Sequence, residues 1–153
     1  MKILLAIDGS PCSEDAVKEV ARRPWPTGSE VRIITAFEPV ASPVPETWMM
    51  SPDYFEVIEK SLREQAQATV EGAATRIRGG EDRSLKVTTV INEGSPKRVI
   101  IEEAEKWEAD LIIVGSHGYP RWERLLLGSV SQAVALHAEC SVEIVRCRSS
   151  VKG

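Results

Sequence analysis

The run LIIVGSHGYPRWERLLLGSVSQAVALH, residues 111–137, decides how this chain is read. Its first four residues are continuously apolar, as a strand buried on both faces of a parallel sheet should be. Gly115 and Gly118 follow at once, and nine residues further on Gly128-Ser129 opens the amphipathic run VSQAVALH. Glycine is costly inside regular structure and useful where backbone must turn or come close to a ligand. A buried strand, a glycine-bearing loop and a helix start therefore stand in sequence, and the rest of the chain has to supply their neighbours.

Four further apolar runs do so: KILLAI at 2–7, VRIITAF at 31–37, LKVTTVI at 85–91 and VEIV at 142–145. Helical segments fit between them. Ser10-Pro11, Ser51-Pro52 and Ser95-Pro96 each read as a helix start, with serine capping the free first-turn amides and proline at the first helical position. The first helix is predicted from about Pro11 to just before Pro24. In the second, Phe55, Ile58, Leu62, Ala66, Val70, Ala73 and Ile77 recur at spacings of three and four until Gly79-Gly80. A third over about 96–107 buries Val99, Ile100, Ala104 and Trp107; a fourth, from Gly128-Ser129, carries Val130, Ala133, Val134 and His137. Alternation of strand and helix through five strands predicts an α/β fold, an open parallel sheet with right-handed crossovers and helices on both faces.

Ligands of such sheets bind beyond the carboxyl ends of the strands, where strand order reverses. Asp8 follows the first strand and Gly115 the fourth, so both fall on that edge. The proline-rich stretch EPVASPVPETWMM, 38–50, has no usable periodicity and reads as a long loop, either a lid over a ligand or a surface connection. Trp48, Met49 and Met50 within it would contact a ligand, a partner or the domain itself.

Length and charge narrow the functional classes. A chain of 153 residues suits a single domain that buries about 70% of its unfolded surface without a disulfide or metal staple. The net charge of -4 opposes a phosphate-neutralising face for nucleic acid. MKILLAID is too short for a secretory core, and the longest apolar runs fall far short of a membrane span. Cys12, Cys140 and Cys147 are odd in number and form no CxxC pair, which suits a reducing, cytoplasmic setting. Across a strand at 141–146, Cys140 and Cys147 would lie roughly 23 Å apart, too far to bridge within one chain.

The glycines admit two readings. Backbone N–H groups converging in a nest or at a helix N-terminus hold phosphate oxygens well, and residues 115–118 and 128–129 could form two halves of such an anion site. Alternatively Gly115 ends a strand and Gly128-Ser129 caps a helix, which leaves Gly118 unexplained. The pattern is neither a Walker loop, since no Gly-Lys-Ser/Thr follows, nor the GxGxxG dinucleotide turn. Asp8 likewise has two readings: it caps the turn after its strand, or it accepts from a ribose hydroxyl, because its charge would repel phosphate.

The pattern Gly115-x2-Gly118-x9-Gly128-Ser129, together with AIDGS at 6–10, resembles the ATP-binding branch of the universal stress protein family over the whole chain. The resemblance implies one Rossmann-like domain, 1–153, with strand order 3-2-1-4-5. It implies Asp8 beside ribose and adenine, and an adenine pocket lined around Ala6, Ala36 and Val114. Ala36 is smaller than the residue usual in the family. Gly115, Ser116, His117 and Gly118 would wrap the phosphates, with Gly128, Ser129 and Val130 closing the site and Mg²⁺ accompanying the nucleotide. It also implies a homodimer through the edge strand 141–146. A register centred between Glu143 and Ile144 would set Cys140 opposite Cys147 of the second copy.

Other polar residues add little. His117 could bond a phosphate or meet solvent, and His137 suits the end of its helix. Neither has partners at zinc-ligand spacing. Arg121 and Arg124 would supply charge near the phosphates or form a solvated loop with Glu123. Phosphoryl transfer needs a residue that orients the nucleophile; no Walker lysine, no second carboxylate near Asp8, and no HIGH or SGGxDS run is present. The expectation is an ATP-binding regulatory protein of the stress response. A weak or partner-activated ATPase and a nucleotide-free dimeric interaction module are the alternatives.

Overall fold

Successive strand side chains point to opposite faces of a sheet, so an almost wholly apolar strand needs cover on both sides. The computed structural model describes residues 1–39, 52–118 and 127–147, and it provides that cover. The elements run β1 (Lys2–Ala6), α1 (Pro11–Arg22), β2 (Glu30–Phe37), α2 (Pro52–Arg78), β3 (Lys86–Glu93), α3 (Pro96–Trp107), β4 (Leu111–Gly115), α4 (Ser129–His137) and β5 (Ser141–Val145). All five strands are parallel, in the order β3-β2-β1-β4-β5. Both the α/β class and the strand order are as expected.

Two cores result. Ile3, Leu5 and Ile7 of the first strand and its exit join Val31, Ile33, Leu111 and Ile113 under α1 and α2, which contribute Ala16, Val17, Val20, Val70, Ala74 and Ile77. The intervening Leu4 and Ala6 join Ile34, Ile112 and Val114 under α3 and α4, against Val99, Ile100, Ala104 and Val134. Each fully buried Leu or Ile contributes roughly 1.5–3 kcal/mol through removal from water. The period of two in the strands thus sorts side chains between the layers, and the order places β1 and β4 side by side at the centre. Their carboxyl ends meet where Ala6 pairs with Val114.

The Ser-Pro starts are not equivalent. Ser10 caps α1 by accepting from the Ser13 amide at 3.3 Å, whereas Ser95 makes no side-chain cap at α3. Ser51 lies outside the described residues, as do residues 40–50 of the long loop and Arg121 and Arg124. The end of α2 follows from Gly80, where a β-carbon would collide with the Ala21 carbonyl on α1. α3 ends on Glu108 in the left-handed region, φ 55°, a conformation usually left to glycine.

The cysteines overturn one expectation. Cys12, in the first turn of α1, is joined to Cys147, just past β5, across a sequence separation of 135, with Cα atoms 4.6 Å apart. Sequence spacing gave no hint of this pair. It arises because α1 packs over the ends of β4 and β5. A disulfide staple is therefore present in a chain whose length made one unnecessary and whose odd cysteine count pointed to reduced thiols. Cys140 is free. No helix among the described residues is long and apolar enough to cross a membrane.

Candidate functional site

The two glycine segments meet at the carboxyl ends of β1 and β4. The Gly128 amide donates to the Ser116 carbonyl at 2.8 Å, and the Ser131 hydroxyl donates to the same oxygen at 3.0 Å. A β-carbon on Gly128 would stand 3.1 Å from the Ser116 carbonyl oxygen and 3.2 Å from the His117 Cα, so a side chain there would push the segments apart. Gly115 is pressed still harder, because its β-carbon would lie 2.8 Å from both the Cys12 carbonyl carbon and the Ser13 nitrogen. These two glycines are required by close approach of backbone to backbone.

Ser116 is the hub. It is 3% exposed, its amide donates to the Val145 carbonyl at 2.8 Å, and its hydroxyl lies 3.7 Å from Cys12 Sγ and 3.1 Å from His117 Nδ1. If the hydroxyl donates to the sulfur, it accepts from Nδ1–H. The other imidazole nitrogen, Nε2, is buried and has no hydrogen-bond partner among the described residues. A buried polar atom left in this way calls for a partner.

The exit from β1 closes the other side. Asp8 uses Oδ1 to accept from the Ser10 amide at 2.9 Å, which is the turn-capping role. Its second oxygen, Oδ2, stands 2.5 Å from where a β-carbon on Gly118 would be. Gly9 takes φ +77°, which lets the chain reverse into α1. The Ser10 hydroxyl then donates to the His117 carbonyl at 3.2 Å, so the AIDGS turn and the loop after β4 are hydrogen-bonded to each other.

Helix α4 begins at Gly128, which has extended backbone and no side-chain cap; the first intrahelical bond runs from the Gln132 amide to the Gly128 carbonyl. Its first-turn amides, beginning with Ser129 and Val130, thus have no capping side chain, and the helix dipole adds partial positive charge there. Val130 is half-buried against the α3–α4 core. Ala6 and Val114 are buried at the floor, while Ala36 is half-buried one strand further out, paired with Asn92. Ala6, Asp8, Val114 and residues 115–118 and 128–130 are therefore assembled at one sheet edge, with Ala36 to the side.

Sequence reading missed two contributors. Ser131 is 2% exposed and bonds both the Ser116 and Gly128 carbonyls; a serine three residues after a helix N-cap was its only sequence signal. Ser10 was read as a cap alone, without its tie to His117. A separate cavity of about 450 Å³ lies between the ends of α1 and α2, lined by Lys18, Arg22 and Arg76 among others. Those cations are paired with Asp15, Glu19 and Glu14, so that cavity offers no comparable anion site.

The comparisons agree with the fold. The family model described as "Universal stress protein family" matches residues 1–146. Universal stress protein MJ0531 of Methanocaldococcus jannaschii is 32% identical over 148 residues, covering 95% of this chain and 81% of that protein. Among solved structures, hypothetical protein MJ0577 superposes with a TM-score of 0.80 at 28% identity, covering 97% of each chain. A universal stress protein in complex with cAMP (TM-score 0.66, 23% identity, 97% and 98% coverage) has the same fold. So does one from Arabidopsis thaliana with AMP bound (0.67, 18%, 97% and 93%).

Proposed function

We propose, from the premise that this chain belongs to the universal stress protein family, that it is an ATP-binding regulatory protein whose nucleotide sits between residues 115–118 and 128–130. The observation that carries the reading is the 2.8 Å bond from the Gly128 amide to the Ser116 carbonyl, which brings both glycine segments to one edge beside the uncapped start of α4. Backbone amides and a helix N-terminus so placed suit the oxygens of a phosphate chain. The partnerless Nε2 of His117 gains a partner by donating to one of those oxygens in the tautomer in which Nδ1 instead accepts from the Ser116 hydroxyl. Family structures with AMP and cAMP support nucleotide as the ligand class.

Asp8 Oδ2 is left for a ribose hydroxyl, and backbone around Ala6, Ala36 and Val114 for adenine. Among the described residues no three acidic, His or Cys side chains stand together as a metal cage. Mg²⁺ would accordingly travel with the phosphates, held by their oxygens and water. The activity proposed is binding with at most slow hydrolysis: Asp8 Oδ1 holds the Ser10 amide and Oδ2 is left for ribose, so neither oxygen is assigned to orienting an attacking water. The remaining parts of the reading are a single cytoplasmic domain, 1–153, acting in the stress response, and a two-fold dimer along β5, whose outer edge the strand order leaves at the border of the sheet.

Isothermal titration of the dialysed protein with ATP and Mg²⁺ tests the reading, run beside Ser129→Ala and Gly118→Asp variants whose folding is checked by thermal melting. The expected result is saturable binding near one site per chain, weakened in Ser129→Ala and lost in Gly118→Asp, where a second carboxylate would face Asp8 and the phosphates. Absence of binding by the wild-type chain would reject it.

A further inference from the structure

The disulfide does not sit at random. Cys12 belongs to the first turn of α1 and is 2% exposed; Cys147, two residues beyond Val145 of β5, is half-exposed. Between them runs the start of the glycine loop. Ser116 donates its amide to Val145 on the Cys147 side and lies with its hydroxyl 3.7 Å from Cys12 Sγ on the other. Gly115 is lodged against the Cys12 and Ser13 backbone. The S–S bond therefore spans the end of β4 and ties α1, β4 and β5 together at the point where residues 115–118 leave the sheet.

We propose that Cys12 and Cys147 form a thiol–disulfide switch that orders segment 115–118 when oxidised and releases it when reduced. In the cytoplasmic setting proposed above a disulfide is seldom a constitutive staple, since that compartment keeps thiols reduced unless oxidant rises. The oxidant is a low-molecular-weight disulfide. The accessible Cys147 thiolate attacks one of its sulfurs, forming a mixed disulfide and expelling one small thiolate. The Cys12 thiolate then attacks the Cys147 sulfur and expels the second. Two protein thiols become one S–S bond, the small disulfide becomes two thiols, and the two protons lost by the cysteines end on those thiols through solvent. Cys140 competes poorly: it lies at the opposite end of β5, and burial pushes its thiol pKa up.

The consequence for ligand rests on the nucleotide reading above; the switch itself does not. The full chain is reduced, desalted, exposed to glutathione disulfide, quenched in acid, then unfolded and alkylated for mass analysis, with hydrogen exchange and ATP titration on parallel samples. The expected product has lost two hydrogens and carries one alkyl group, on Cys140, with a Cys12–Cys147 cross-linked peptide. Exchange of the amides at 115–118 slows on the order of tenfold on oxidation. ATP binds on the order of fivefold more tightly to the oxidised form. Neither change occurs in Cys147→Ser. Three alkylated cysteines, a persistent glutathione adduct without the cross-link, or unchanged exchange at 115–118 would each overturn the switch, and measurable but equal ATP affinity in the two forms would overturn its consequence for ligand. Failure of both forms to bind ATP would instead count against the nucleotide reading, with the cross-link and exchange results still deciding the switch.

Discussion

Asp8 divides its two oxygens between structure and an open edge: Oδ1 holds the Ser10 amide and Oδ2 faces Gly118. Both sequence-level readings of this residue, turn cap and ligand contact, are thus compatible with one side chain. Replacing Gly118 by alanine drives a methyl group into Oδ2, so the carboxylate must swing away. The expected effect is a loss of about tenfold in ATP affinity, about 1.4 kcal/mol, read by titration. A separate residue-scale prediction concerns acid. The Arg23 guanidinium, which donates to it, holds Glu19 below its ordinary value of 4.5, with Arg22 adding to the effect. A lowered folded-state value means that Glu19 contributes its full stabilisation above about pH 4.5 and loses it as pH falls through the folded-state value. Denaturant titrations from pH 7 to 3 should show stability falling less steeply in Arg23→Ala than in the wild type. Parallel slopes would contradict the assignment.

Among the elements, helix starts show what a linear signal conveys and what it omits. Ser-Pro marked α1 and α3 correctly because proline pre-sets the first helical φ wherever it stands. It could not tell that Ser10 bonds the Ser13 amide and the His117 carbonyl while Ser95 bonds neither end of its helix by side chain. Ser10→Ala should therefore cost about 1–2 kcal/mol in urea unfolding, and Ser95→Ala no more than a few tenths. Equal losses would place the capping elsewhere. At the close of α3, Glu108 occupies the left-handed region without help from a glycine. Glu108→Gly should raise stability by about 0.5–1 kcal/mol, since strain relief exceeds the entropy cost of glycine. The loop glycines were legible for a related reason: backbone close approach admits no other residue at Gly115. Ser131 was less so, because a serine in a helix is ordinary and its burial depends on the loop folding back over it.

At the scale of the whole molecule, apolar runs and helical stripes identified five strands and four helices, since burial on two faces imposes a pattern on local sequence. Adjacency between distant segments imposes none, which is why the Cys12–Cys147 pair was missed and why strand order came from resemblance. That bond closes a loop over a separation of 135 residues, so in the chain-entropy account it adds about 4–5 kcal/mol. Reduction should lower Tm by about 8–20 °C, and Cys147→Ser should melt at the reduced temperature in either buffer. The central claim, that the two glycine segments form one phosphate site, is tested most directly by amide chemical shifts. Titration of the ¹⁵N-labelled chain with ATP and Mg²⁺ should move the amides of Gly115, Gly118, Gly128, Ser129 and Val130 together along one binding curve. Shifts confined to other parts of the sheet, or none at saturating nucleotide, would contradict it.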